Sequence, residues 1–420
     1  MPRWIGLFLW TVACLGRTEA EPLLGQLIRD PAHPDRLSYA QDADENEQPD
    51  PAFLCGPGGP EGFLYGDISG GADQETVIQQ IAEHGGNVLY LIAVRSHGGD
   101  GGPTENPFRE HDPRRGLDSA LLERWERWFQ QMEQAGITIF FLFYDDDVDL
   151  WNEAAIAPAE RAWIEGIVNA FEHHPNLIWI VAEEYQESFP PEKVRRLAAL
   201  IREADDYDHL IGVHQLPGTE FHFADAPELD LFAMQLGQGV DTLEEVYSSC
   251  RQAVEQAAGR YSVLLAELHP WHADLLVQGD RATVRKINWT AAMARVSGVL
   301  HLGTWETAQD RRPPTPEMLA DYRRLHRFLE GIEDLNALRP DDRTLREGKA
   351  YLLSGATRLL AYLPEGGTVV LDLKDQREAL QAEWYNPRTG ERRAIGTIAP
   401  TEHRFTAPDA SDWLLHLNRP

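Results

Sequence analysis

Eight apolar runs of strand length, separated by amphipathic segments, constrain this chain more than any other feature. The runs span residues 63–69, 87–94, 137–145, 177–184, 210–216, 231–237, 262–269 and 298–306. Between them, apolar residues recur at helical spacing over 117–135, 158–173, 191–204, 242–258 and 281–296. Strands that are apolar on both faces belong to parallel sheets covered by helices. Eight such units in about 250 residues predict a (β/α)8 TIM barrel, an α/β fold. A doubly wound sheet is the rival, but no Gly-rich phosphate turn follows the first run. Helix starts agree with the barrel: Pro158 and Pro191 suit first turns, and Thr315-Pro316-Glu317 opens a helix after the eighth strand.

From Arg339 the pattern becomes short alternating runs separated by turn residues, including Pro364-Glu365-Gly366-Gly367 and Asn386-Pro387-Arg388-Thr389-Gly390. This predicts a small antiparallel β-sandwich of about 75 residues after the barrel. The expected layout is an export signal over 1–20, a polar segment over 21–52, the barrel over 53–338 and the sandwich over 339–420. Within the last, 339–349 reads as a charged linker. Residues 42–51 read as a polar, mobile stretch.

The export signal rests on Arg3, an apolar stretch from Trp4 to Ala13 and the cleavage pattern Thr18-Glu19-Ala20. That stretch is too short to span a bilayer. The prediction is a secreted or periplasmic protein; a second reading takes Thr11-Val12-Ala13-Cys14 as a lipoprotein box with Cys14 lipidated. Cys55 and Cys250 are the remaining thiols, and their spacing leaves pairing open. The net charge of −30 argues against nucleic acid and anionic membranes, whose phosphates it would repel. Asn288-Trp289-Thr290 matches a glycosylation sequon by pattern.

Active sites of such barrels lie at the carboxyl ends of the strands. There the chain places Arg95 and His97 on strand two, Asp145 on strand three, and Glu183, Glu184 and Tyr185 on strand four. His214 follows on strand five, Gln235 on six, Glu267, His269 and Trp271 on seven, and Trp305 on eight. A carboxylate ending an apolar strand is costly in a core and useful in chemistry. Two of them, Glu184 and Glu267, suggest the paired carboxyls of glycoside hydrolysis. The remaining residues read as substrate contacts, with Trp305 as a stacking platform for a sugar face. No His-x-His or His-Glu-x-x-His spacing occurs, so no metal and no cofactor is expected. The expected partner is a carbohydrate.

The strand-four and strand-seven glutamates, Arg95 and Trp305 resemble those of the retaining glycoside hydrolases of clan A. Within that clan the chain is most similar to the apiosidase-like branch. Tyr362-Leu363-Pro364-Glu365-Gly366-Gly367, Trp384-Tyr385-Asn386-Pro387-Arg388-Thr389-Gly390 and Asp412-Trp413-Leu414-Leu415 resemble the C-terminal sandwich of that branch, which carries a collagen-binding label. The label by itself gives no support for collagen affinity. The resemblance implies Glu184 as general acid/base and Glu267 as nucleophile, with Arg95 holding Glu267 ionised. It also exposes a departure, since Glu183 stands where the clan carries Asn, and Gln235 where many relatives have Tyr or His. A non-catalytic glycan-binding protein on a degenerate barrel is the alternative function.

Overall fold

The computed structural model describes residues 25–40, 48–57, 62–65, 73–268, 280–300 and 315–419. The first three strands, β1 (Leu27–Arg29), β2 (Leu37–Tyr39) and β3 (Asp50–Pro51), form a small antiparallel sheet. Leu27 and Leu37 are buried among residues of the barrel interior, so this sheet closes one end of the barrel. Of the stretch 42–51 expected to be polar and mobile, Asp50–Pro51 is ordered as β3, paired with β2; Leu27, Leu37 and Ala52 give the small sheet its apolar cover. Residues 41–47 lie outside the described residues, as do residues 1–24 with the expected export signal and Cys14.

Eight parallel strands follow: β4 (Leu54–Gly56), β5 (Val88–Val94), β6 (Thr138–Tyr144), β7 (Leu177–Ile180), β8 (Leu210–His214), β9 (Leu231–Leu236), β10 (Ser262–Leu268) and β11 (Gly298–Leu300). They pair in one sheet that runs from β4 through β11 and back in order to β5. Around it lie α1 (Gln74–His84), α2 (Ser119–Gln134), α3 (Pro158–Phe171), α4 (Pro191–Ala204), α5 (Leu243–Ala257), α6 (Arg281–Met293) and α7 (Pro316–Glu330). The expected barrel is present, with one strand misplaced. Residues 63–65 form a 3-10 turn, and the first barrel strand is Leu54–Gly56. Three residues are too few for a periodic signal, and the pair Gly56-Pro57 reads as a turn. Gly56 is required because a Cβ there would sit 2.3 Å from the Val88 carbonyl oxygen of the neighbouring strand.

Side chains alternate cleanly along the strands. Val88, Tyr90, Phe140, Ile178, Ile180, Ala233, Leu264 and Ala266 fill the barrel interior. Their odd or even neighbours Leu89, Phe141, Trp179, Met234 and Leu265 pack outward under the helices. Cys55 and Cys250 are both buried and unpaired. Asn288 is buried within α6, so the sequon is closed to a glycan. Among the described residues no helix is long and apolar enough to cross a membrane.

The C-terminal strands are β12 (Arg339–Pro340), β13 (Leu345–Glu347), β14 (Tyr351–Ser354), β15 (Arg358–Leu363), β16 (Thr368–Asp372), β17 (Leu380–Tyr385), β18 (Arg392–Ile398), β19 (Glu402–Thr406) and β20 (Trp413–Asn418). They make a six-stranded sheet, β12-β14-β15-β20-β17-β18, and a three-stranded one, β13-β16-β19. The stretch expected as a linker thus supplies β12 and β13. Period-two alternation divides the larger sheet between two cores. Leu359, Ala361, Leu363, Trp413, Leu415 and Leu417 face the smaller sheet. Leu360, Tyr362, Leu414 and Tyr385 face the barrel helices, where Trp289 stacks on Tyr362 and Phe328 packs on Tyr385. A module of this size has little core of its own, and the barrel supplies its second apolar face. Arg285 of α6 forks onto Asp412 at 2.8 and 2.9 Å beneath this contact.

Candidate active site

Strand β7 stops at Ile180, four residues before Glu184, and the backbone beyond it is irregular. Glu184 is left-handed (φ 31°, ψ 51°), an uncommon and strained conformation for a residue with a Cβ. This break lets two consecutive glutamates enter the barrel mouth, which strict strand alternation would forbid. Glu183 accepts from the Tyr90 hydroxyl at 2.8 Å and shares a hydrogen bond with Asp145. The backbone N–H of Glu184 donates to His214 Nδ1 at 3.4 Å.

A second irregularity aims Glu267. Leu264 and Ala266 point into the barrel and Leu265 outward, so simple alternation would turn Glu267 away. The pairing of β10 with β9 slips between Leu265 and Glu267, and Glu267 comes opposite Gln235. Such bulges re-aim side chains beside active sites. Glu267 Oε2 lies 3.7 Å from Nε2 of the fully buried His214. The Gln235 amide reaches both Glu184 and Glu267, and its hydrogen bonding partly offsets their burial. The two expected carboxyls are therefore together, bridged by the strand-six amide.

Their electrostatics follow from burial. Desolvation pushes Glu267 up to about 8, with the Glu184 charge adding to it. Burial also raises Glu184, helped by the charges of Glu187 and Asp100. Asp145 rises to about 6 through burial, against the pull of Arg95. Asp146 rises to about 7 through burial and the neighbouring Asp145.

Arg95 does not take its expected place beside Glu267. Its guanidinium meets Glu105 at 2.8 Å and Asp145 at 3.2 Å, on the β5–β6 side of the mouth. A buried cation settles where it finds carboxylates, and the loop after β5 and the residue following β6 supply them here. His97 is left-handed (φ 65°), with Nδ1 against Ser96 Oγ at 2.6 Å. The Tyr185 hydroxyl is engaged by His222 Nδ1 at 2.6 Å. His269, Trp271 and Trp305 lie outside the described residues. Tyr90 was missed because it reads as core; its signal is a hydroxyl within an otherwise apolar inward row. Glu105, in the loop after β5, offered no signal at all.

Residues 70–317 match the family model described as apiosidase-like, catalytic domain. That match spans more than half of the chain. The chain belongs to the apiosidase-like family. Residues 341–418 match a second model, "Putative collagen-binding domain of a collagenase". A search of curated proteins gives no match. Among solved structures, the chain is similar to a glycoside hydrolase family 5 protein from Bacteroides vulgatus, with 15% identity and a TM-score of 0.69 over 94% of this chain and 93% of that one. A protein described as a glycoside hydrolase aligns with 15% identity and a TM-score of 0.67 over 94% and 97%. A β-L-arabinopyranosidase from Geobacillus stearothermophilus aligns with 10% identity and a TM-score of 0.52 over 88% and 96%. At these identities the likeness is one of fold, and it extends through both the barrel and the sandwich. The apiosidase-like family relationship makes this a glycoside hydrolase-type chain.

Proposed function

We propose that this apiosidase-like chain is an exported retaining glycosidase acting on a poly- or oligosaccharide, with Glu184 as acid/base and Glu267 as nucleophile. The observation that carries the reading is the convergence of these two glutamates on one amide, each brought there by a local break in strand regularity. Retaining chemistry needs carboxyls about 5–5.5 Å apart, whereas an inverting pair stands about 6.5–9.5 Å apart to admit a water. Glu267 would attack the anomeric carbon while Glu184 protonates the departing oxygen. Glu184, now ionised, would then deprotonate the water that releases the sugar. Export rests on the N-terminal sequence pattern.

The proton balance has a consequence for rate. Both carboxyls are raised, Glu267 to about 8, so the pair keeps one proton up to about that pH. The form that reacts has Glu267 ionised and Glu184 protonated, one of the two arrangements of that single proton. A bell-shaped kcat/KM profile follows. Activity rises with pH as the first proton leaves the pair and falls through about pH 8 as the second leaves. On an activated aryl glycoside, Glu184→Gln should lose the alkaline fall, since only Glu267 must then ionise. The pH profile of both forms on such a substrate checks this; an alkaline limb retained in the variant would contradict it.

Screening the purified protein on plant and algal glycans tests the function, with anomeric configuration followed by NMR. Hydrolysis with retained configuration is the expected result. Inversion would overturn the mechanism, and inactivity throughout would favour the glycan-binding alternative.

A further inference from the structure

His214 ends β8, between the strands that deliver Glu184 and Glu267, and its side chain is 0% exposed. Its Nδ1 receives the backbone N–H of Glu184. A ring nitrogen that accepts cannot also carry the proton, so the neutral ring holds its hydrogen on Nε2. Burial keeps the ring neutral, lowering its pKa to about 3. Nε2 has no hydrogen-bond partner and points at Glu267 Oε2, 3.7 Å away.

Ligand-type atoms of Glu183, His214 and Glu267 lie within 4.8 Å of one another, close enough to suggest a divalent-metal seat. The tautomer argues against it. Ligation through Nε2 would move the proton to Nδ1, where it would face the Glu184 N–H head-on. The same hydrogen suits a carboxylate instead.

We propose that His214 is a positioning residue whose Nε2–H closes on the Glu267 carboxylate as it ionises, fixing its orientation and tying it to the Glu184 peptide. This deepens the glycosidase reading and rests on it for its kinetic consequences. Catalytic contacts are often long in an empty site and tighten when charge develops. The groups bearing on Glu267 among the described residues are Glu184, Asp146 and Gln235, with Glu183 in the same cluster. Tyr90 packs edge-on against the imidazole, its ring centroid 6.3 Å away.

Removing a donor to the ionised form raises Glu267 further. In His214→Phe the alkaline limb of kcat/KM should therefore move up by about one pH unit. Less of Glu267 is then ionised below the shifted limb, so kcat/KM there should fall by up to about tenfold. His214→Gln, which keeps both an acceptor and a donor, should recover most of the loss. A purely structural role would lower activity without moving the limb. Ring 15N NMR of the wild-type protein gives a readout independent of any glycan: the Nε2–H tautomer, neutral from pH 5 to 8. An Nδ1–H tautomer, an unmoved limb in His214→Phe, or tight stoichiometric Zn2+ binding abolished by that substitution would each overturn the proposal. If no glycan is turned over, the glycosidase reading fails while the NMR and Zn2+ results still decide the geometry.

Discussion

Glu267→Gln should lower turnover by about four orders of magnitude while leaving the fold and glycan binding nearly intact. The amide is almost isosteric with the carboxyl, so the surrounding contacts survive, but an uncharged oxygen cannot attack the anomeric carbon. Losses of this size are typical when a nucleophile is removed and only binding and electrostatic stabilisation remain. Glu184→Ala should behave differently. Natural linkages, whose leaving oxygen needs a proton, should slow by about 10²- to 10⁴-fold. Aryl glycosides with good leaving groups should react nearly normally in the first step. Added azide should then rescue that variant, because a small anion can discharge the glycosyl-enzyme without a general base. Glu183→Gln should be milder than either, since Glu183 bonds Tyr90 and Asp145 and is not assigned to the bond-breaking step. Steady-state kinetics on one natural and one aryl substrate separate these outcomes, and unchanged activity in Glu267→Gln would refute the assignment.

The other large effect is on stability. Asp412 is fully buried and binds the buried Arg285 through both oxygens, linking the sandwich to α6. Asp412→Ala strands that guanidinium, and breaking a buried pair from one side costs about 3–5 kcal/mol. Asp321, 3.6 Å from Arg285, offers partial compensation and argues for the lower end. The neighbouring pair of Lys286 and Glu365 spans the same interface, but Glu365 is 73% exposed. Glu365→Ala should therefore change stability by less than about 0.5 kcal/mol. Urea unfolding measures both. Limited proteolysis adds a structural readout, because Asp412→Ala should hasten cleavage around Asp341, Asp342 and Arg343, and the wild-type chain should resist it. Rapid release of an intact sandwich from the wild type would show that the docking contact contributes little.

Much of this architecture was legible because two periodicities carry it. The runs after the first were readable as strands since their alternating faces are apolar on both sides, and Glu184 and Glu267 stood out because a carboxylate interrupts each run. Other features escaped for identifiable reasons. Leu54–Gly56 is too short to show a period and ends in residues that signal a turn. The small sheet of Leu27, Leu37 and their neighbours is held by contacts with the barrel interior, which local sequence does not encode. Glu183 and Glu267 were placed at the site by their strand-end positions, but what aims them was not legible: Glu183 depends on where β7 stops, and Glu267 on a slipped register. Both are backbone irregularities that alternation alone predicts wrongly. Arg95 was assigned to Glu267 by resemblance, yet Glu105 and Asp145 compete for it across the β5–β6 side.

The central claim is that Glu267 forms a covalent bond to the sugar. A panel of 2-deoxy-2-fluoro glycosides with activated leaving groups, followed by mass spectrometry of the digested protein, tests it most directly. Fluorine at C2 slows hydrolysis of the intermediate more than its formation, so a true nucleophile becomes labelled. The expected result is a single glycosyl adduct on the peptide containing Glu267, absent in Glu267→Gln. An adduct on Glu183 or Glu184, or turnover with inverted configuration and no adduct, would contradict it.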